Sequence, residues 1–295
     1  MALGHLRQIA LAAVTLIVPS ISDAQRSAPL TWIAGDFSGE YNQRVALAVT
    51  ASVAGRPCRL QLDTGVNDAV RLPDGPPSLE QPVLVPVEFL GIAVSVPTTA
   101  EVAGKLHECR LGETVGTLGN AFFESGSLTL DLKASKLSYT PAPALAGDGR
   151  AQPMFYARWT PHGGHPLVEL RRDGVLKGYV LLDTGSAASG FTPLSRAQWD
   201  AATGSAPLAA TNSVSEFTVS SWGRALRCYA TRGAAPLLVG SWPLGELPVS
   251  YCPELDFIPP VKLEGLVGLR GFADAVITID YLSGRWLVAR SRYDR

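Results

Sequence analysis

The sequence predicts an all-β fold built from two homologous halves, and three observations support this. An apolar strand that leads into Asp-Thr-Gly occurs twice, at residues 60–65 and 180–185. An apolar-apolar-Gly motif follows each copy and ends at Gly119 in the first half and at Gly268 in the second. Short strand-like segments dominate the chain, and 29 glycines and 22 prolines supply the turns between them. Because a repeat of this kind dictates architecture, we expect two similar lobes.

Each half is predicted to begin with a hairpin whose second strand carries the aspartate. In both halves the two strands are separated by a two-residue turn that contains glycine: residues 44–53 and 56–63, then residues 167–172 and 175–183. Helical periodicity is scarce. The best helix candidates are residues 195–202 and the turns that follow Gly119 and Gly268.

The repeat continues without a gap beyond the glycine motifs. Phe123 and Phe272 occupy matching positions, and residues 128–131 match residues 277–280 as apolar-Thr-apolar-Asp. The last residues of these segments, Asp131 and Asp280, could suggest a second carboxylate pair. We predict instead that they are turn residues that end the last strand of each lobe.

The first 24 residues are predicted to be a secretory signal peptide. They combine Arg7, an apolar run over residues 9–18, and a small-x-small cleavage site at residues 22–24. That run is too short for a membrane span, and no later segment offers about 18 consecutive apolar residues. We therefore expect an exported protein, periplasmic or extracellular, with no stable membrane anchor after the signal is removed.

The remaining chain is predicted to form two lobes joined by a linker. A stretch rich in proline and glycine over residues 141–153 cannot support a helix or a central strand. It separates an N-terminal lobe over residues 25–140, which carries the first Asp-Thr-Gly, from a C-terminal lobe over residues 154–295, which carries the second.

Composition and charge narrow the classes of function. The hydrophobic share of 46% is ample for a buried core, which excludes a disordered chain. The formal net charge is −1, and the 25 basic residues are spread along the chain. No basic stripe is present to neutralise phosphates, so a nucleic-acid partner is not expected.

The four cysteines are predicted to form disulfides, because an even number in an exported chain favours bridges over free thiols or zinc. Four cysteines allow three pairings. Two fall in each half, so we predict one bridge per half, Cys58–Cys109 and Cys228–Cys252. The alternative is that some of them are buried free thiols.

The duplicated Asp-Thr-Gly is the strongest functional signal. At average residue usage this triplet should occur about once in 5,000 positions by chance. One copy could be a simple β-turn. Two copies, each at the end of an apolar strand, make Asp63 and Asp183 a candidate catalytic pair.

At these residues the chain resembles the pepsin and retropepsin superfamily of aspartic peptidases, and more closely the bacterial aspartyl-protease-like domains, here in tandem. The resemblance covers essentially all of the chain after the signal. It implies a bilobal acid-protease fold in which two β-barrel-like lobes enclose a cleft. It also implies an aspartic-type endopeptidase that acts on a peptide or protein substrate.

The resemblance assigns roles to individual residues. Asp63 and Asp183 would be the catalytic aspartates, which share one proton because two carboxyls about 3 Å apart cannot both ionise. The charged carboxyl would activate a water, and the protonated one would polarise the peptide carbonyl and later protonate the leaving amine. This chemistry requires no metal or cofactor, and one chain holds both halves, so a monomer is expected. The supporting loop residues would be Thr64, Gly65, Thr184, Gly185 and Ser186.

Several features depart from the pepsin pattern. Ser186 can hydrogen-bond its aspartate, whereas Val66 at the matching place in the first half cannot. Between Val66 and Cys109 the only aromatic residue is Phe89, so the flap is expected to be short or replaced by residues 85–94. Two extra hairpins are predicted to form walls of the cleft, at residues 217–228 and 237–252.

Other interpretations of the sequence remain open or are rejected. His162 and His165 could hold a metal, although histidines in glycine-rich loops usually face solvent. The serines near Gly185 lack the GxSxG spacing of a nucleophile elbow, so we reject a serine hydrolase. The alternatives to a peptidase are an inactive peptide-binding or structural protein, and a glycosidase whose carboxyls would stand about 5 Å or more apart.

Overall fold

The structure is a computed structural model, and it describes residues 24–37, 40–73, 82–110, 112–221, 224–255 and 257–291. Almost all of the predicted signal peptide lies outside these residues. Within the described residues, no helix is long and apolar enough to cross a membrane.

Strands make up most of the first half, with one short helix. The elements are β1 (Arg26–Pro29), β2 (Thr31–Phe37), β3 (Glu40–Val53), β4 (Arg56–Leu62), β5 (Val70–Arg71), β6 (Val83–Phe89), β7 (Ile92–Thr98), α1 (Ala100–Leu106), β8 (Thr114–Leu118), β9 (Ser127–Asp131) and β10 (Lys136–Thr140). A 3₁₀ turn over Asn120–Phe122 follows β8.

The second half repeats this plan and adds a hairpin-rich insertion. Its elements are β11 (Gln152–Pro153), β12 (Phe155–Thr160), β13 (Gly163–Arg172), β14 (Val175–Leu182), β15 (Phe191–Thr192), α2 (Arg196–Thr203), β16 (Ser215–Ser221), β17 (Arg224–Arg232), β18 (Leu237–Val239), β19 (Trp242–Pro243), β20 (Pro248–Tyr251), β21 (Gly265–Val267), β22 (Ala275–Asp280) and β23 (Arg285–Arg290). A 3₁₀ turn over Leu269–Phe272 follows β21.

The strands form three sheets, and one sheet joins the two halves. A seven-stranded sheet belongs to the first half and a ten-stranded sheet to the second. The third sheet has six strands in the order β1-β10-β9-β22-β23-β11, so both halves contribute to it. At its centre β9 pairs antiparallel with β22, and the hydroxyls of Thr129 and Thr278 lie 3.1 Å apart. The predicted all-β fold with two homologous lobes is confirmed, and the exact lobe boundaries stay predictions.

The hairpin before each aspartate forms as predicted. Its tight turn has two residues with positive φ, at Ala54-Gly55 (52° and 78°) and at Asp173-Gly174 (51° and 74°). Such a turn matches the right-handed twist of the flanking strands. The first strand of each hairpin begins earlier than predicted, so β3 and β13 also pair with a preceding strand, β2 or β12. Each half therefore carries an additional hairpin, β2–β3 or β12–β13.

The predicted helix in the second half is α2. The Ser195 side chain accepts a hydrogen bond from the Gln198 amide at its start, and Gly204 ends it in the left-handed region at φ 72°. The structure also contains α1, which the sequence did not indicate. That helix has only seven residues, too few for helical periodicity to be visible, and Gly104 lies within it.

Asp131 and Asp280 are turn residues, but each is followed by a further strand. The Asp131 carboxylate accepts a hydrogen bond from the Ala134 amide, and the Asp280 carboxylate accepts from the amides of Leu282 and Ser283. Because β10 and β23 follow these turns, the prediction that the two aspartates end the last strand of each lobe is wrong.

The core runs through both halves. Phe123 and Phe272, the aromatic pair of the repeat, are fully buried, as are Trp199 and Trp286. The two predicted disulfides, Cys58–Cys109 and Cys228–Cys252, are both formed. Each bridge lies within one half.

We predict that each disulfide contributes on the order of 3 to 5 kcal/mol to the free energy of unfolding, because each closes a loop in the unfolded chain. The sequence separations are 51 and 24 residues. Urea unfolding of the double variants Cys58→Ala/Cys109→Ala and Cys228→Ala/Cys252→Ala measures both contributions. An unchanged unfolding midpoint in either variant would contradict this prediction.

Candidate active site

The two Asp-Thr-Gly segments lie at equivalent places in the two halves. Strands β4 and β14 each pair in parallel with a strand from the following glycine motif, β8 or β21. The Asp63 amide donates to the Leu118 carbonyl at 3.0 Å, and the Asp183 amide donates to the Val267 carbonyl at 2.9 Å. Each aspartate is therefore fixed at the carboxyl end of a central strand.

The glycine motifs lie directly behind the aspartate loops. A Cβ atom at Gly119 would lie 2.4 Å from the Asp68 carbonyl oxygen, and one at Gly268 would lie 2.0 Å from the Ser186 carbonyl oxygen. Only glycine fits at this distance. The apolar-apolar-Gly motifs are thus explained by close packing of backbone on backbone.

The two loops are tied together by their threonines. The Thr64 hydroxyl donates to the Leu182 carbonyl at 2.5 Å, and the Thr184 hydroxyl donates to the Leu62 carbonyl at 3.0 Å. Each hydroxyl also accepts the amide of the other threonine, at 2.9 and 3.0 Å. Both threonines are buried. These four reciprocal bonds fix one lobe against the other at the level of the aspartates.

The glycines of the two loops allow the carboxyl groups to approach each other. A Cβ atom at Gly65 would lie 2.8 Å from Asp183 Oδ1 and 2.9 Å from Asp63 Oδ1, and one at Gly185 would lie 2.3 Å from Asp63 Cγ. The carboxyls of Asp63 and Asp183, one from each lobe, therefore meet at Gly65. The structure therefore brings together all seven residues that the sequence nominated for the site.

The two carboxyls have unequal surroundings. Asp63 accepts one bond within its loop, from the Gly65 amide at 2.7 Å. Asp183 accepts bonds from the amides of Gly185 and Ser186, at 3.0 and 3.3 Å, and from the Ser186 hydroxyl at 2.7 Å. Hydrogen bonds of this kind stabilise the charged form of a carboxyl. The Asp183 carboxyl thus accepts three hydrogen bonds from its own loop, and the Asp63 carboxyl accepts one.

The pKa of Asp63 is raised well above its ordinary value. Burial is the largest cause, followed by the charge of Asp183 and the hydrogen bond with the Asp183 carboxyl. The Gly65 amide and the charge of Arg71 act in the opposite direction without cancelling the shift. Asp63 therefore keeps its proton to a higher pH than an ordinary aspartate does.

Both aspartates line a cleft of about 670 Å³ between the lobes. Most of its apolar lining comes from the second half: Leu181, Phe217, Val219, Leu226, Leu255, Phe257 and Leu266. The predicted hairpin at residues 217–228 is β16–β17 and forms one wall. The second predicted hairpin contributes only Ser250 and Cys252 at its end, while β18–β19 faces a separate groove.

The hairpin that reaches over the cleft is β2–β3. The ring of Phe37, at the end of β2, lies 5.3 Å from the ring of Phe217 in the opposite lobe. Arg44 donates to the Ala273 carbonyl at 2.8 Å, also across the lobe boundary. None of residues 85–94 lines this cleft, and the turn between β6 and β7 accepts a hydrogen bond from Arg26. Whether the flap is short or replaced by residues 85–94 stays a prediction.

Sequence reasoning missed Asn120, which supports the first loop from behind. Its amide nitrogen donates to the carbonyls of Thr64 and Val66 at 2.6 and 2.9 Å, and its oxygen accepts from the Tyr281 hydroxyl at 2.8 Å. Asn120 is fully buried. Its position directly after Gly119, where the second half has an apolar residue, was the signal available in the sequence.

The two histidines considered as metal ligands are not equivalent. His162 is exposed, whereas His165 is buried with its Nε2 atom 3.1 Å from the Gly65 carbonyl oxygen. In the described part of the chain, no three side chains of the metal-binding types come together.

We predict that Asp63→Asn raises thermal stability near neutral pH. Because the pKa of Asp63 is raised in the folded state, its protonated carboxyl contributes its full stabilisation at acid pH. It is lost as the pH rises through that pKa. An uncharged amide at position 63 removes this loss, so the melting temperature at pH 7 should rise by about 2 °C or more.

Melting curves at pH 4 and pH 7 test this prediction. The matched control is Asp173→Asn, an exposed position in the β13–β14 turn. We expect the gain from Asp63→Asn to be larger at pH 7 than at pH 4. A gain that is the same at both values of pH would show that the carboxyl pair does not limit stability.

Comparison with solved structures finds a similar aspartic proteinase. The crystal structure of the aspartic proteinase from Irpex lacteus matches at 13% sequence identity with a TM-score of 0.47, covering 92% of this chain and 98% of that chain. No protein-family model matches the chain, and no curated protein matches it. The chain's own strands form a two-lobed all-β fold with one Asp-Thr-Gly loop per lobe.

Proposed function

We propose that the chain is an exported aspartic endopeptidase that hydrolyses peptide bonds with a water molecule activated between Asp63 and Asp183. One observation carries this proposal: two carboxyls from different lobes meet at Gly65 in the cleft between the lobes, where the charge of Asp183 helps to raise the pKa of Asp63. Structural turns would not need this contact, because it is costly for two carboxyls unless they share a proton.

The unequal surroundings of the two carboxyls assign their roles. Asp183, with three hydrogen bonds from its own loop, is the charged member and takes a proton from the attacking water. Asp63, whose pKa is raised, is the protonated member and donates to the oxygen of the peptide carbonyl. The water oxygen bonds to the carbonyl carbon and gives a tetrahedral diol. Transfer of a proton to the nitrogen then lets the C–N bond break, and an acid and an amine leave.

The shape of the cleft supports a peptide as the substrate. Its apolar walls and the overlying β2–β3 hairpin can enclose an extended chain across the two carboxyls. A glycosidase, which needs about 5 Å or more between its carboxyls, is disfavoured because both carboxyls approach Gly65 and Asp183 is close enough to raise the pKa of Asp63. The remaining alternative is an inactive peptide-binding protein, and Val66, which provides no hydroxyl to Asp63, favours it.

Two further properties belong to this proposal. Both disulfides are of the kind that persists in oxidising compartments, which supports export. Both aspartates come from one chain, so we expect a monomer to be active. Sedimentation combined with activity measurements tests this second point, and activity confined to a dimer fraction would contradict it.

We predict that Asp63→Asn and Asp183→Asn each abolish peptide cleavage while the fold is retained. Each substitution removes a group that acts in the same proton-transfer steps. General acid–base catalysis contributes about 10² to 10⁴ in rate, and we expect each variant to lose at least that much. The double variant should be scarcely worse, because the two groups act as a unit.

Digestion of a denatured protein mixture from acidic to neutral pH, with cleavage sites read by mass spectrometry, measures these losses. Asp173→Asn is the matched control and should keep wild-type activity. Activity per folded molecule that is equal in either dyad variant and the wild type would end the peptidase proposal. An inactive wild type that still binds peptides in the cleft would favour the peptide-binding alternative.

A further inference from the structure

A buried histidine from the second lobe contacts the first aspartate loop. His165 lies on β13, is only 3% exposed, and has its Nε2 atom 3.1 Å from the carbonyl oxygen of Gly65. A carbonyl oxygen can only accept a hydrogen bond, so Nε2 must carry the hydrogen. In the neutral ring, the Nδ1 atom is then unprotonated.

The surroundings of the ring favour this neutral form. Nδ1 is buried and has no hydrogen-bond partner among the described residues. The ring stacks on Trp159, with centroids 4.5 Å apart and planes 19° apart, and Phe257 lies at its edge at 6.4 Å. A second proton would place an N–H group in this apolar pocket without an acceptor, which costs free energy.

Gly65 transmits this contact to the dyad. Its amide donates to Asp63 Oδ1 at 2.7 Å, and its carbonyl accepts from His165. The two bonds together fix the backbone of Gly65 against the Asp63 carboxyl. In the other loop, Gly185 has the same arrangement: its amide donates to Asp183, and its carbonyl accepts from Gln61 Nε2 at 3.3 Å.

The two residues that donate across the lobe boundary, His165 and Gln61, are not matched by a donor at the equivalent position of the other half. The strand register aligns His165 with Ala46 of the first half, because these residues stand at the same place in the β12–β13 and β2–β3 pairs. It aligns Gln61 with Leu181. Each loop thus has a cross-lobe donor of its own, and only the donor of the Asp63 loop can titrate near neutral pH.

The β12–β13 hairpin is seated tightly on the first loop. A Cβ atom at Gly163 would lie 2.1 Å from the carbonyl oxygen of Asn67, and the Asn67 side chain donates to the Thr160 hydroxyl. This contact places β13 close enough for His165 to reach Gly65.

We propose that His165 is a positioning residue of the dyad, which in its neutral form holds Gly65 and thereby Asp63, and that its protonation sets an acid limit on activity. The inference rests on the proposed function for its effect on catalysis. The hydrogen bond and the tautomer can be tested without any activity.

Burial and the neighbouring charged groups set the pKa of His165, and with it the pH of this acid limit. Burial is the largest effect and lowers the pKa of the imidazole, and the charge of Arg71 lowers it further. The bond to Gly65 and the charges of Asp183 and Asp68 raise it without cancelling the shift. The neutral ring of His165 therefore contributes its full stabilisation above about pH 6.5, the ordinary pKa of histidine. This contribution is lost as the pH falls through the lowered pKa of the folded state.

Two substitutions of His165 separate the effect of its hydrogen-bond donor from the effect of its protonation. His165→Phe keeps a ring on Trp159 but removes the donor, so we expect kcat to fall about tenfold or more with KM changed less than about twofold. His165→Gln keeps an amide donor and cannot be protonated in this range. It should retain kcat within about threefold near neutral pH and extend activity to lower pH than the wild type. The control His162→Gln, at the exposed tip of the same hairpin, should keep the wild-type pH profile.

Nitrogen-15 NMR of the imidazoles tests the state of the ring directly. The chain has four histidines, and His165→Gln identifies the signal of His165. We expect the neutral Nε2–H tautomer at neutral pH and a pKa below the ordinary value. A protonated Nδ1 in the neutral ring, or a pKa at or above about 6.5, would overturn the proposal.

The kinetic results decide the catalytic part. Wild-type kcat in His165→Phe, or an acid limit in His165→Gln equal to that of the wild type, would also overturn it. If the wild-type chain shows no peptidase activity at all, the proposed function fails, whereas the NMR titration still decides whether His165 holds the Asp63 loop in its neutral form.

Discussion

The contact between the carboxyls of Asp63 and Asp183 is the constraint on which the rest of the structure depends. Two carboxyls in contact repel each other unless they share a proton, so the lobes must be held together against this cost. The buried threonine bonds and the shared six-stranded sheet provide the restraint. A neutral hydrogen bond contributes only about 1 kcal/mol to stability. The threonine hydrogen bonds therefore fix the relative position of the two aspartate loops as much as they stabilise the fold.

Backbone symmetry and side-chain asymmetry have separate consequences. The duplicated strands and glycine motifs give both aspartates the same backbone position. The side chains around them differ, since Ser186 hydrogen-bonds Asp183 and Asn120 supports the opposite loop from behind. In the proposed function, this asymmetry assigns the acid role to Asp63 and the base role to Asp183.

The additional hairpins connect the lobes on either side of the dyad. Hairpin β2–β3 reaches the second lobe through Phe37 and Arg44. Hairpin β12–β13 reaches the first loop through Gly163 and His165. A change in the relative position of the lobes would disturb both hairpins and the contact between the two aspartates together. Under the proposed function, substrate binding in the cleft would therefore be coupled to the geometry of the carboxyls.

The sequence alone determined the features that depend on local pattern. Apolar strands that end in Asp-Thr-Gly and the Gly-containing turns predicted the all-β repeat and the candidate pair of aspartates. The placement of two cysteines in each half predicted both disulfides, and residues 195–202 were predicted as the helix that is α2. Only the tertiary structure decided which residues meet across the lobe boundary. Gln61 and His165 each donate to the aspartate loop of the other lobe, 124 and 100 residues away in the chain. Phe37 of β2 lines the cleft, whereas none of residues 85–94 does. Such contacts depend on how the lobes dock, and no local periodicity or turn preference records the docking of distant segments.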